Sequence, residues 1–436
     1  MVVTMAYSEA ERDISAKDAA VRRLLSLAKI KVAHPAPFSN ITKLDIFDCG
    51  ISSLPDSFAE AFPELSILFL SKNKFKEMPK MIGDCPKLQM VSFKDNMLAT
   101  IHPDALQPQM RWLILTNNRL SNLPESIGRC QKLQKFMLSG NQVESLPDTI
   151  RNCISLELIR LASNKLKEPP TALLDIPSLR WVALSGNPFL QHLQPSSEAL
   201  DILEEVEESI GEVLGQGAGG VTRKVLWRDR VVAVKEYNGA MTSDGLPEEE
   251  RRISCAASAL NSACFIEVLG ETQAGSLVME YLDQYSALAG PPSFETCSRD
   301  VYTDSVCIVH DEQAEKILSH LLEALAKLHS VGICHGDFYG HNILVSQDGS
   351  DVRLSDFGAA FFYDREHEYG TSIEAIELRS FAVLVEEVNS LLKQQSERLD
   401  KLVRKCREQG CSFAKLHIWW KQLQLAGLAS AFAVDA

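Results

Sequence analysis

The chain has 436 residues, room for two or three domains at about 150 residues each, and its 45% hydrophobic and 23% charged content is that of a folded globular protein rather than a disordered or fibrous one. Against 58 Asp and Glu stand only 44 Lys and Arg, a formal charge of −14, which opposes contact with a phosphate backbone or an anionic lipid surface and argues against nucleic acid as a partner. Its 11 Cys are scattered without C-x-x-C or zinc-finger spacing, so reduced thiols are expected.

The first residues, MVVTMAYSEAERDIS, lack an apolar signal core, and Glu9, Glu11 and Asp13 do not suit a transit peptide. No stretch is long and apolar enough to span a membrane, so a cytoplasmic protein is expected. Residues 8–33 place Val21, Leu24, Leu25 and Ala28 on one helical stripe, which predicts a helical cap over residues 1–39. A cap is what a stack of repeats needs at its end. Over residues 40–195 the frame L-x-x-L-x-L-x-x-(N/C)-x-apolar recurs with its polar mark at Cys49, Asn73, Asn96, Asn118, Asn141, Asn164 and Asn187, at steps of 22 to 24 residues. The seven units resemble leucine-rich repeats of the cytosolic kind, whose second half L-P-x-x-apolar-x-x-C reads clearly at Leu123, Pro124, Ile127 and Cys130 and again at Leu146, Pro147, Ile150 and Cys153.

A strand and turn of this size cannot bury its own apolar face, so stacking into an α/β solenoid is expected, with the asparagines satisfying backbone groups in the turns. Those Asn and Cys are therefore read as structural. Between the core leucines, Ile67, Phe69, Met90, Trp112, Ile114, Met137, Leu158 and Trp181 are expected on the concave face. Such an apolar, aromatic stripe predicts a docking surface for a protein partner or for the chain's own second domain; the alternative is mutual shielding by neighbouring side chains. The repeats end after Asn187 and Pro188, and residues 196–208, with Glu198, Asp201, Glu204, Glu205, Glu207 and Glu208, read as a solvated acidic linker.

In residues 209–436, Gly215, Gly217 and Gly220 form G-x-G-x-x-G between the β-type runs EVL and RKVLW, which suggests a hairpin rather than the strand-to-helix turn of a dinucleotide site. Val232-Ala233-Val234-Lys235 follow. Leu318, Leu321, Leu322, Leu325 and Leu328 share one helical face, and the chain then reads I-C-H-G-D-F-Y-G-H-N-I-L and L-S-D-F-G. In this order the motifs resemble a protein kinase: glycine loop, V-A-V-K, H-x-D-x-x-x-x-N at His335, Asp337 and Asn342, and D-F-G at Asp356, Phe357 and Gly358.

The resemblance implies an α+β bilobal domain, N-lobe 209–282 and C-lobe 283–436, that uses ATP and Mg2+. It places Gly215, Gln216, Gly217, Gly220, Ala233 and Lys235 around the nucleotide, with Lys235 on the α and β phosphates, and Asn342 and Asp356 on magnesium. Asp337 would take the acceptor's proton. Glu250, with Glu249 next in line, would pair with Lys235, and S-L-V-M-E-Y-L would be the hinge, with Met279 as gatekeeper and Glu280 and Leu282 on adenine.

Several positions depart from that pattern. Gly336 replaces the arginine that would answer a phosphorylated activation loop, Tyr339 stands where protein kinases carry the lysine that steadies the transferred phosphate, and Gly219 replaces the loop-tip aromatic. The segment from Asp356 to a next helix expected at Glu377 is short and lacks A-P-E. Residues 290–306, GPPSFETCSRDVYTDSV, read as a mobile insertion with a possible substrate or regulatory contact. Ser412 and Phe413 read as the start of the last helix, with Trp419 and Trp420 as packing residues. The reading favoured is an ATP-dependent Ser/Thr protein kinase whose substrates are recruited by the repeats through Phe69, Trp112, Met137 and Trp181. The alternatives are a pseudokinase scaffold and, more weakly, a small-molecule kinase, since H-G-D is also similar to the aminoglycoside and choline kinases.

Overall fold

The computed structural model describes residues 13–15, 38–193, 200–204, 206, 211–217, 219–260, 262–303 and 310–434. The chain divides into two compact units, Met1–Leu179 with Asn187–Phe189, and Arg180–Gly186 with Leu190–Ala436.

In the first unit, three-residue parallel strands at Lys43–Asp45, Ile67–Phe69, Met90–Ser92, Trp112–Ile114, Lys135–Met137 and Leu158–Arg160 pair in sequence order. Their central residues, Leu44, Leu68, Val91, Leu113, Phe136 and Ile159, align in register and are fully buried, forming one column of core. Strands this short leave many backbone groups to be satisfied in the turns. The asparagine ladder does this: Asn96 Nδ2 donates to the carbonyls of Leu70 (2.9 Å) and Phe93 (3.1 Å), while its Oδ1 accepts from the Phe75 N–H at 3.1 Å. Asn118 and Asn164 repeat the pattern one and three units further on. The residue before several of these marks, including Lys72, Asp95, Asn117 and Ser163, has a positive φ of 55 to 57°. Burial pushes the thiols of Cys85, Cys130 and Cys153 up to about 12, which keeps them neutral and inert.

Two expectations for this unit need amendment. Asp13–Ser15 form a strand paired parallel with Lys43–Asp45, so this part of the predicted cap is extended rather than helical; Val21, Leu24, Leu25 and Ala28 lie outside the described residues. The concave stripe is also partly shielded. Met90 and Leu158 are buried, Ile67, Phe69, Trp112, Ile114 and Met137 are half-buried, and the Lys135 ammonium lies 4.7 Å from the centroid of the Trp112 ring.

The second unit contains a five-stranded antiparallel sheet of β1 (Glu212–Gln216), β2 (Gly220–Trp227), β3 (Arg230–Tyr237), β4 (Val268–Glu271) and β5 (Leu277–Glu280), in the order β1-β2-β3-β5-β4. Val225, Val232, Val234 and Val278 form its core. The segment read as a solvated acidic linker is partly tied to this sheet: the Leu203 N–H donates to the Glu271 carbonyl (2.8 Å) and the Glu271 N–H to that of Asp201 (3.0 Å); Glu198, Glu205, Glu207 and Glu208 lie outside the described residues.

The longer helices are α1 (Pro247–Ser258), α2 (Asp311–Ser330), α3 (Glu368–Leu391), α4 (Glu397–Cys406) and α5 (Phe413–Val434). Leu318, Leu321, Leu322, Leu325 and Leu328 of α2 are all fully buried, as their 3.6-residue period requires. Trp420 is buried too, its indole N–H donating to Ser319 Oγ at 2.7 Å. Helix α3 begins at Glu368, nine residues before the Glu377 expected from sequence. At Gly370 in its first turn, the close passage of the Asp364 and Arg365 carbonyls leaves no room for a side chain. The insertion is anchored: Gly290 and Val301 exchange backbone hydrogen bonds, and Tyr302 donates to Glu387 at 3.0 Å. Among the described residues, no helix is long and apolar enough to cross a membrane.

Candidate phosphotransfer site

The sheet and the helical part of the second unit enclose a cleft of about 610 Å³, lined by Gly215, Gln216, Gly217, Gly220, Ala233, Lys235, Glu250, Met279, Glu280, Leu282, Asn342 and Asp356. That is an ordinary size for a small-molecule site. Strands β1 and β2 form an antiparallel hairpin with an irregularity between Val213 and Gly215, so the glycines sit at a strand-to-strand turn over the cleft. On the inner wall, Ala233 of β3 pairs with Met279 of β5, and the Glu280 N–H donates to the Glu267 carbonyl at 2.9 Å.

Lys235 ends the apolar run of β3 and forms an ion pair with Glu250 of α1, while its ammonium lies 3.2 Å from Asp356 Oδ1. The side chains of Lys235 and Glu250 are 14% and 4% exposed. Burial disfavours the lysine's charge, but the fields of Asp356 and Glu250 outweigh it and raise its pKa. Lys235 in turn holds the half-exposed Asp356 carboxyl below its ordinary value. Glu249 faces elsewhere, in an ion pair with Arg252 at 3.1 Å.

Asp356 adopts φ 55°, ψ 78°, and its Oδ1 accepts from the Gly358 N–H at 3.2 Å. This bend buries Phe357 beside His335 and Phe265. His335 Nε2 faces the Ser355 carbonyl at 3.1 Å and Nδ1 faces the Asp337 N–H at 3.3 Å, so a proton on Nε2 satisfies both. Asn342 Nδ2 donates to the carbonyl of Asp337 (2.9 Å) and to its Oδ2 (3.0 Å). Asp337 is half-buried beside the cleft, joined to it through Asn342.

Residues 209–387 match the family model described as the protein kinase domain, and residues 108–166 match that of the leucine rich repeat. The chain joins leucine-rich repeats to a protein kinase domain. Similar curated proteins include two from Dictyostelium discoideum named as probable serine/threonine-protein kinases, 25% identical over 190 residues and 27% over 186. The serine/threonine-protein kinase oca2 of Schizosaccharomyces pombe is 29% identical over 162 residues. These matches cover 41%, 42% and 35% of this chain and only 13%, 35% and 22% of those proteins. A leucine-rich-repeat protein of Leptospira interrogans aligns with TM-score 0.32 and 24% identity, over 36% of this chain and 47% of that one.

Motif reading did not assign a role to one buried, multiply bonded carboxylate of the kinase domain. Glu377 of α3 is fully buried and accepts from the N–H groups of His335 (3.1 Å) and Gly336 (2.7 Å) and faces His329 Nε2 at 2.7 Å. Burial works to raise its pKa, but these contacts together lower it. The loop that carries Asp337 is thereby pinned through a residue 41 positions from Gly336 that no local pattern marks. A second pin comes from the insertion: the Asp300 carboxylate accepts from the His341 N–H at 3.1 Å and sits 2.7 Å from His341 Nδ1.

Proposed function

We propose that the kinase domain is an active phosphotransferase that moves the γ-phosphoryl group of ATP to Ser or Thr hydroxyls on proteins recruited by the repeats. The observation that carries this reading is the convergence on one cleft of Lys235 paired with Glu250, Asp356 within reach of the same lysine, and Asn342 bonded to Asp337. Phosphoryl transfer asks for positioning and charge neutralisation more than covalent chemistry, and these are the groups that supply both. Backbone N–H groups of the glycine turn hold the phosphate oxygens and Lys235 neutralises the α and β phosphates. Asn342 orients Asp337, which takes the proton as the acceptor oxygen bonds to phosphorus and the bond to the ADP oxygen breaks.

The donor set also fits magnesium, which prefers hard oxygens. Asn342 Nδ2 is committed to Asp337, and the Asn342 amide oxygen and the Asp356 carboxylate, on residues that line the same cleft, would hold the ion. An ion held there would supply positive charge to the phosphate groups.

The test is labelled phosphate transfer from Mg-ATP, by the full-length protein and by Asp337→Asn, onto itself and a generic basic protein. Transfer by the parent, reduced about 100-fold or more in the variant, is expected. One observation favours the scaffold alternative: only nine residues, 359–367, separate Gly358 from α3, too few for a peptide-binding platform. Binding of Mg-ATP without transfer by the parent would decide for it, and capture of a partner lost on changing Phe69, Trp112 or Met137 would then identify the working surface.

A further inference from the structure

The nine residues between Gly358 and α3, AAFFYDREH, contain neither Ser nor Thr. Their one hydroxyl, on Tyr363, is buried and lies 2.7 Å from His329 Nδ1. Gly336 leaves no arginine to receive a phosphate. The usual means of ordering a kinase catalytic loop, a phosphorylated segment docked on a cation, therefore has neither of its halves here.

Another element occupies that place. Residues Arg180–Gly186 belong to the compact unit of the kinase domain, and their strand Trp181–Ala183 packs against α3. Trp181 is 1% exposed. Its indole N–H donates to the Phe338 carbonyl at 3.0 Å, and its ring stacks on Tyr339 at a centroid distance of 4.1 Å and an angle of 8°. Two residues earlier, Gly336 sits at φ +73°, and a side chain there would collide with the carbonyl oxygens of Val182 and Ala359. The strand thus contacts the loop on both sides of Asp337. Two of the three residue departures from the kinase pattern, Gly336 and Tyr339, are positions it uses: a glycine where it passes, and an aromatic ring where it stacks.

We propose that Trp181 is a positioning residue for Asp337, and that the strand Trp181–Ala183 holds the catalytic loop in its working geometry in place of a phosphorylated activation segment. This rests on the reading of the site as a phosphotransferase only in its kinetic consequence; the ordering of the loop is a property of the fold. Trp181 does not line the cleft, so its loss acts on the transfer step and not on nucleotide binding.

The experiment compares the full-length protein with Trp181→Ala and Trp181→Phe, reading kcat and KM for ATP in the phosphate-transfer assay and amide hydrogen exchange by mass spectrometry. For Trp181→Ala the expected result is a fall in kcat of about 100-fold, the scale of an ångström-sized misplacement, with KM for ATP unchanged. Exchange should rise in residues 336–342 and stay constant in β3. Trp181→Phe retains a stacking ring but no N–H donor and should recover most of kcat, remaining about 10-fold below the parent; it carries the test if the alanine variant does not fold. Unchanged kcat in a folded variant, or unchanged exchange over 336–342, overturns the proposal. Should the parent transfer no phosphate, the exchange readout decides alone: a localised rise upholds the positioning role while the phosphotransferase reading fails.

Discussion

The two units solve the same physical problem, buried polar groups, at different ranges along the chain. In the repeats, each Asn side chain meets backbone groups of its own turn and of the unit before it, as Asn118 does with Leu115 and Phe93. The solution is written once and copied at a step of 22 or 23 residues from Asn73 to Asn187. In the kinase domain the partners are unique and distant: Lys235 reaches Asp356 across 121 positions, and Gly336 reaches Glu377 across 41. Periodic satisfaction spreads stability over many equivalent bonds, whereas convergent satisfaction concentrates it, together with the chemistry, in a few.

That contrast can be broken or sharpened by substitution. The largest effect is expected at Glu377→Ala, which leaves two backbone N–H groups and His329 facing a void; urea unfolding should show a loss of about 3–5 kcal/mol, and a change within error would mean that the pin is dispensable. Next comes Lys235→Ala. Phosphate transfer should fall about 100-fold, equivalent to roughly 2.7 kcal/mol of transition-state stabilisation, and full transfer by the variant would remove Lys235 from the site. Within the repeats, Asn118→Ala strips partners from the Leu98 N–H and the Phe93 and Leu115 carbonyls. A loss of about 2 kcal/mol is expected, and equal losses at Asn96 and Asn164 would establish the equivalence of the units; strongly unequal ones would contradict it. The smallest effect is expected at Lys135→Ala, which uncovers the half-buried Trp112 ring and should cost under about 1 kcal/mol in the same assay.

How much of this was legible beforehand follows from the same contrast. The strand columns at Leu68, Val91 and Leu113 and the buried leucines of α2 follow directly from spacing, because burial acts on each residue through its own hydrophobicity. The D-F-G bend and the Lys235 strand were readable as ordered motifs. Glu377 was read only as a helix start, and it proved to be an interior residue of α3, because Tyr369, Ile373 and Ile376 already bury one face of that helix ahead of it. Residues 290–306, of which 304–306 lie outside the described residues, read as mobile because their composition is polar; Asp300 is nonetheless buried against His341, a pairing visible only once the chain is folded.

The sequence by itself determined the stack of repeats, the order of the kinase motifs and the identity of the charged groups around the cleft, because each depends on residue type at short or fixed spacing. Only the tertiary structure decided that Glu377 bonds the loop at His335 and Gly336, and that Gly336 and Tyr339 meet the strand Trp181–Ala183. It also decided that Trp181, read as one of eight stripe residues, packs against that loop. Those facts depend on the approach of segments more than 40 residues apart, where a hydrogen bond of 3.0 Å or a stacked ring is selected by the packing of the whole unit and leaves no periodic trace in the chain.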